Sequence, residues 1–399
     1  MKGIKRKINI KIVYNLIIFI AIFSCKNENI RKNEVKNVPV FKIISTDTIS
    51  FGYDNRFFKI KETKSKDFRM ILNFSNEGVS LKPKRNNKFI TISKEGKVID
   101  EQNISFNHSL TDYVEFDNGF YTINTLRVTM GKDYTHDFLC KYDTNWNLLW
   151  KKELKTRKYP AGNSFIRLFD KDTLVLITDS DNKKKYGLAI QKFDKKGTIL
   201  SNVFYDKYDN PLTVTKTFDN HLLISTFETK SDSLIIIKKE INNKTIWKKA
   251  LDKKIYIKQI FQTKDNSFII YGIKYHTNSR TRTSLIVYKI DKEGKLIWEK
   301  SINMNYYEQA GNVIEYKNNF VFSSYITPTK DKGSFAYIFE LDNNGKLISD
   351  KKFDFKLGIS SVPYLIDNNE QITMISQKWI GKFGDPFHDI ILINRIEKQ

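Results

Sequence analysis

Five histidines, two cysteines and a scatter of loop acids are all that this 399-residue chain offers to acid–base, nucleophilic or metal chemistry. His108, His136, His221, His276 and His388 stand far apart. No HExxH pair, paired-cysteine cage or glycine-rich phosphate loop accompanies them, so the spacings that build zinc and nucleotide sites are missing. No serine elbow with its partners is visible either. Glu308 and Asp385 are candidate acids by loop position only, since no pairing between them can be read from spacing. No residue is therefore assigned a catalytic role, and no metal or cofactor is expected. The binding candidates are His136, His276, Arg280, Arg282, Tyr307 and His388, for a reason that lies in the elements around them.

Those elements repeat. IDKEGKLIWEK (290–300) has close copies in ISKEGKVIDEQ (92–102), YDTNWNLLWKK (142–152), FDKKGTILSNV (193–203), KEINNKTIWKK (239–249) and LDNNGKLISDK (341–351). The position of Gly294 is taken by Gly96, Trp146, Gly197, Asn243, Gly294 and Gly345, at intervals of 50, 51, 46, 51 and 51 residues. A period near fifty suits a four-stranded propeller blade better than a helical repeat. Between these phrases lie apolar stretches broken by Asn/Asp turns: 73–81, 115–123, 168–177, 217–225, 263–271, 315–323 and 365–375. Turn-forming residues between β-branched and aromatic runs are the hairpin signal. Each unit reads as strand a, tight turn, strand b, variable loop, strand c, tight turn, strand d.

Seven first hairpins against six second hairpins leaves the last unit without its own strand d. An open blade edge would expose backbone donors and acceptors, and closure by the N-terminus removes it. The asparagine of each a–b turn follows the tryptophan by about twenty residues, as from Trp298 to Asn318. Counting back from Asn76 places residues 55–62 (NRFFKIKE) as the outer strand of the last blade, paired near Ile391. The expected fold is all-β: a seven-bladed β-propeller of four-stranded blades over residues 51–399, its ring closed by an N-terminal strand.

Trp150, Trp247 and Trp298 fall on strand d, four residues after the turn. The phrase KEGKLIW resembles the repeats of pyrroloquinoline-quinone-type propellers. That resemblance implies that the tryptophans pack between neighbouring blades, where a flat ring buries much surface. The enzymes of that class use a calcium site and commonly paired vicinal cysteines, whereas Cys140 stands alone. The non-enzymatic members, which scaffold other proteins at the outer membrane, are the nearer match, and shared fold does not transfer function.

The N-terminus is specific in another way. A basic segment, MKGIKRKINIK, precedes the apolar IVYNLIIFIAIF and then Ser24-Cys25. The apolar run is too short to span a bilayer comfortably and reads as a signal peptide, residues 1–24. A small residue before cysteine resembles the bacterial lipoprotein signal, which implies acylation of Cys25. Two or three acyl chains anchor stably. Residues 25–50 then read as the anchor and a flexible tether. The expected location is the bacterial cell envelope, with the membrane as a partner through the anchor. With Cys25 acylated, Cys140 has no disulfide partner and reads as a buried small hydrophobe in HDFLCKYD.

Lys plus Arg number 68 against 45 acids, a net charge of +23. The excess is mostly lysine scattered along every segment, so nucleic acid is not expected as a partner. The b–c loops nonetheless collect cations, including Arg280 and Arg282, and the d–a loops collect Tyr159, Tyr208, Tyr256, Tyr306 and Tyr307. Both kinds of loop open on one face of a propeller, where cations with exposed aromatics suit an anionic glycan. The reading is a binding or scaffolding module that takes an envelope protein or such a glycan. The alternative is a glycan-active enzyme, a lyase or hydrolase, on the same ring.

Overall fold

The computed structural model describes residues 41–398, except for loop stretches of which the longest are 76–84, 105–108, 129–133, 155–162, 329–333, 356–361 and 381–387. The expected signal peptide and Cys25 lie outside the described residues. Blade 1 contains β1 (Phe41–Glu62), β2 (Phe68–Ser75), β3 (Arg85–Ile92) and β4 (Val98–Ile104). Blade 2 contains β5 (Ser109–Phe116), β6 (Gly119–Val128), β7 (Tyr134–Asp143) and β8 (Leu148–Leu154), and blade 3 β9 (Ser164–Leu168), β10 (Leu174–Asn182), β11 (Lys185–Phe193) and β12 (Ile199–Tyr205). Blade 4 contains β13 (Tyr208–Lys216), β14 (Leu222–Glu228), β15 (Ser233–Lys239) and β16 (Thr245–Leu251), and blade 5 β17 (Ile255–Gln262), β18 (Phe268–His276), β19 (Ser279–Ile290) and β20 (Leu296–Ile302). Blade 6 contains β21 (Tyr307–Tyr316), β22 (Asn319–Thr327), β23 (Phe335–Leu341) and β24 (Leu347–Phe353), and blade 7 β25 (Tyr364–Asn368), β26 (Gln371–Ile380) and β27 (His388–Lys398). All pairings are antiparallel.

Blade 7 obtains its fourth strand from the other end of the chain. Phe41 to Tyr53 of β1 pair with Lys398 to His388 of β27, so that Ile49 lies opposite Ile391. From Tyr53 to Glu62 the same strand pairs with β2. β1 is thus strand d of blade 7 and then strand a of blade 1, and blades 7 and 1 share one seven-stranded sheet. Two expectations are corrected. Residues 55–62 are the inner strand of blade 1, and the closing strand starts at Phe41, inside the segment read as tether. The cause is a misplaced turn: the a–b turn of blade 1 is at 63–67, where Thr63 N donates to Asp67 O at 2.7 Å. β2 runs on to Ser75, so the segment read as the a–b turn lies after the second strand of the blade.

Seven apolar clusters form, one at each blade junction. The cluster of Ile60, Phe68, Met70, Leu72, Ile366, Ile375, Ile391 and Ile393 belongs to the closing junction of blades 7 and 1. Polar latches join the inner strands. Asp112 Oδ2 accepts Ile166 N at 3.1 Å, Gln259 Oε1 accepts Val313 N at 2.9 Å, and Asn312 Oδ1 accepts Leu365 N at 2.6 Å. At three other junctions the side chain donates: Arg167 and Thr215 bond to Val214 O and Ile260 O, and Lys61 to Tyr113 O. Asp112 is fully buried, and Lys61 Nζ at 2.9 Å and Arg167 Nη1 at 2.7 Å neutralise it from either side. A buried carboxylate without such partners would be costly.

The tryptophans lock the outer strands. Trp150, Trp247 and Trp298 each lie over the glycine of the following blade's c–d turn: Gly197, Gly294 and Gly345. All three glycines have φ between +77° and +85°, where glycine is favoured. Trp247 Nε1 donates to Lys292 O at 2.9 Å and Trp298 Nε1 to Asn343 O at 2.8 Å. Where strand d carries Asp100 instead, the next turn carries Trp146 (φ 62°), stacked 3.6 Å from Phe89 and 4.0 Å from Phe120. The indole has moved across the junction but still fills it.

Candidate functional site

The loop ends of blades 5 and 6 bring three of the six binding candidates into one neighbourhood. His276 ends β18, Arg282 lies early in β19, and Tyr307 begins β21. His276 and Arg282 are exposed and Tyr307 is half-buried. His276 Nε2 lies 2.7 Å from Ser284 Oγ, which fixes the ring against β19. Tyr275 joins them: burial raises its phenol pKa, and the neighbouring phenols of Tyr307 and Tyr256 raise it further.

The other candidates are elsewhere or only partly described. Arg280 belongs to β19 beside this cluster by backbone position. His136 lies in β7 of blade 2, opposite Leu126, and His388 starts β27 opposite Ile380 and Tyr53. The structure does not bring either to blades 5 and 6. Asp385 lies outside the described residues.

Glu308 is sealed below this surface. It is fully buried, its Oε1 accepts Met304 N at 3.1 Å and Tyr306 N at 3.3 Å, and its Oε2 accepts the Thr283 hydroxyl at 2.9 Å. Burial raises its pKa, against the opposing pull of those bonds. A carboxylate saturated by its own loop cannot reach a substrate, so Glu308 is a clamp holding the loop before Tyr307 onto β19. The flanking Asp252 is engaged as well, accepting Lys254 N at 3.0 Å and pairing with Lys274 Nζ at 3.2 Å.

Lys258 is the cation that sequence reasoning missed. It is the extra residue of a β-bulge in β17, where Ile257 pairs with Gly272 and Gln259 with Tyr271. Ile255 and Ile257 are buried while Tyr256 and Lys258 are exposed. Burial nevertheless lowers the Lys258 pKa, and among the described residues no ion pair compensates it. The available signal was the alternation Ile-Tyr-Ile-Lys at the start of strand a.

The arrangement offers an unpaired amine, a guanidinium, an imidazole and several phenols, with both flanking carboxylates occupied. That suits holding an anion or a sugar face. Among the described residues no group of three or more His, Cys, Asp and Glu is placed to hold a metal ion. Cys140 is fully buried, with its thiol 3.2 Å from Asn124 Nδ2, as a small core residue.

No protein-family model matches the chain, and no curated protein matches it by sequence. Solved structures share the fold. Drosophila Plexin A in complex with Semaphorin 1b aligns at TM-score 0.53 and 9% identity, over 90% of this chain and 88% of that one. The polysaccharide lyase Uly1 aligns at 0.51 and 8%, over 84% and 89%. Drosophila Semaphorin 1b extracellular domains 1–2 align at 0.50 and 9%, over 90% and 88%. At these identities the likeness is one of architecture, and the chain is a seven-bladed β-propeller.

Proposed function

We propose that this protein is an envelope-anchored lipoprotein whose propeller binds an anionic glycan at the loop ends of blades 5 and 6. The observation that carries the reading is exposed Arg282 beside the Tyr275 and Tyr307 phenols, with Tyr256 next to them and Lys258 farther along β17 of the same blade. Sugar rings stack on phenols while carboxylate or sulfate groups meet the cations. Binding is favoured over turnover by the burial of Glu308, whose carboxyl is consumed by Thr283 and its own loop.

The test is a titration of the protein with a polyuronate and a neutral glucan, followed by calorimetry and by product analysis. Polyuronate binding that weakens about tenfold in Arg282→Ala and in Lys258→Ala supports the reading. Equal affinity for the neutral glucan would overturn it, and release of shortened or unsaturated chains would replace binding with catalysis. Acylation is tested separately by fatty-acid labelling, expected in the natural chain and lost in Cys25→Ala.

A further inference from the structure

Every blade of the ring carries the same bulge in its outer strand. In blade 5 Ile290 pairs with Leu296 and Lys289 with Trp298, leaving Ile297 as the extra residue. The same step leaves Ile99, Leu149, Leu200, Ile246 and Ile348 in blades 1, 2, 3, 4 and 6. In blade 7 Ile396 pairs with Ile43 and Arg395 with Ser45, so the extra residue is Ile44. All seven bulged residues are isoleucine or leucine. Six of them are 42% to 57% exposed, and Ile348 is half-buried.

An outer-strand bulge has an ordinary purpose, since it bends an edge away from pairing with another sheet. That purpose is served by any side chain, and a polar one would be the soluble choice. Single exposed aliphatics are common, but the same aliphatic at the same height in seven blades is a pattern. Because each bulge follows its c–d turn at a fixed distance, the seven side chains share one level of the ring.

A lysine stands two residues before the bulge in five blades: Lys42, Lys97, Lys244, Lys295 and Lys346, all exposed. The turn aspartates are spent internally: Asp291 Oδ1 accepts Glu293 N and Lys295 N, and Asp342 Oδ1 accepts Asn344 N and Lys346 N. Lys42, Lys97, Lys295 and Lys346 have no side-chain partner among the described residues. The closing strand also enters here, since Phe41 lies opposite Lys398 at the turn end of blade 7. Residues 25–40 connect that point to Cys25 and span at most about 58 Å when extended.

We propose that this rim docks on an anionic lipid leaflet, with the bulged aliphatics entering the headgroup boundary and the lysines meeting lipid phosphates. A protein partner needs a contiguous patch, whereas a lipid surface can accept separate aliphatic tips interspersed with cations. The bulges also block strand addition by a second copy. Docked this way, the ring turns its b–c and d–a loops outward, so the glycan site faces away from the membrane. The outward orientation rests on the anchored reading of Cys25, while the lipid contact itself does not.

The test uses the chain from residue 25 with Cys25→Ser, which keeps every strand of the closed ring and carries no acyl group. Flotation with phosphatidylglycerol–phosphatidylethanolamine vesicles is expected to carry the protein, and phosphatidylcholine vesicles to carry little. The combined Ile99→Ser, Leu149→Ser, Leu200→Ser and Ile297→Ser variant is expected to bind about tenfold more weakly, with polyuronate binding unchanged. Should that variant not fold, Lys97→Glu with Lys295→Glu and Lys346→Glu carries the same expectation. No flotation of the parent, or equal flotation of the folded variants, overturns the proposal. So does a parent that self-associates through the rim and dissociates in the serine variant. Loss of acylation in cells without loss of flotation would sink the anchor alone.

Discussion

Trp298 lies over Gly345 of the next blade so closely that a Cβ there would sit 2.8 Å from the indole. Gly345 also holds φ at +77°, so both the space and the backbone exclude a side chain. Gly345→Ala is expected to destabilise the ring by about 2–4 kcal/mol, from αL strain and overpacking together. Asn243 occupies the same turn position at φ 73° after a blade with Ser201 in place of tryptophan. Asn243→Gly should therefore change stability by less than about 1 kcal/mol. Urea midpoints of the two variants check the contrast, and equal losses would mean that the indole is not what the glycine accommodates.

The junction of blades 6 and 7 has no c–d turn for an indole to cover, because blade 7 is closed by the two ends of the ring. An ion pair stands there instead. Glu340 is fully buried and accepts Lys398 Nζ at 2.8 Å, Asn319 Nδ2 at 2.7 Å and Ser349 Oγ at 2.8 Å. Lys398→Met leaves a buried carboxylate with only neutral donors and is expected to cost about 2–4 kcal/mol. Adding Glu340→Gln should restore part of that loss, which a double-mutant cycle in urea measures. Additive losses would show that the pair is uncoupled.

The fold was legible because the phrase around Gly294 and Trp298 is physically required: its glycine turn, its lysine and its indole each occupy a defined junction. Its seventh copy, Phe41-Lys42-Ile43-Ile44-Ser45, went unread because the turn glycine that announces the others is absent where the chain is open. Asn76 then mimicked an a–b turn and displaced the closing strand by about ten residues. The site was less legible. His276, Arg282 and Tyr307 were reachable through loop position, but Lys258 depends on a bulge that no residue type marks. Glu308 looked available because loop position says nothing of burial, and its partners Thr283 and Met304 come from a strand and a backbone amide.

Acid should loosen blades 4 and 5 through two aspartates that carry the same device. Burial pushes the Asp219 carboxyl up, but bonds from Lys238, Thr217 and His221 outweigh it and hold it well below its ordinary 3.8. Asp265 is held low in the same way by Thr263, Lys289 and Ser267 N against burial. A depressed folded pKa contributes stability above the unfolded value, and that contribution is lost as pH falls through the folded one. The parent is therefore expected to lose urea resistance progressively below about pH 4, more steeply than Asp219→Asn with Asp265→Asn. Both carboxylates are about half exposed, so solvent tempers the effect. Parallel pH profiles for parent and variant would remove these two groups from the acid response.

Thiol chemistry can separate the anchor from the ring in one sample. Burial raises the Cys140 thiol to about 11, with weaker opposing bonds from Asn124 and Tyr142. Near pH 8 only about one molecule in a thousand is then thiolate, and the core shields that one as well. Folded protein should hardly react with a thiol reagent at Cys140, and with Cys25 acylated as proposed, denaturant should release one thiol per chain. An acylated Cys25 contributes nothing, because its sulfur is bonded to the lipid; Cys140→Ser should therefore abolish the denatured signal. Two thiols per denatured chain would leave Cys25 unmodified and withdraw the anchor. Fast reaction of Cys140 in the folded state would instead contradict its burial between Phe138 and Tyr142.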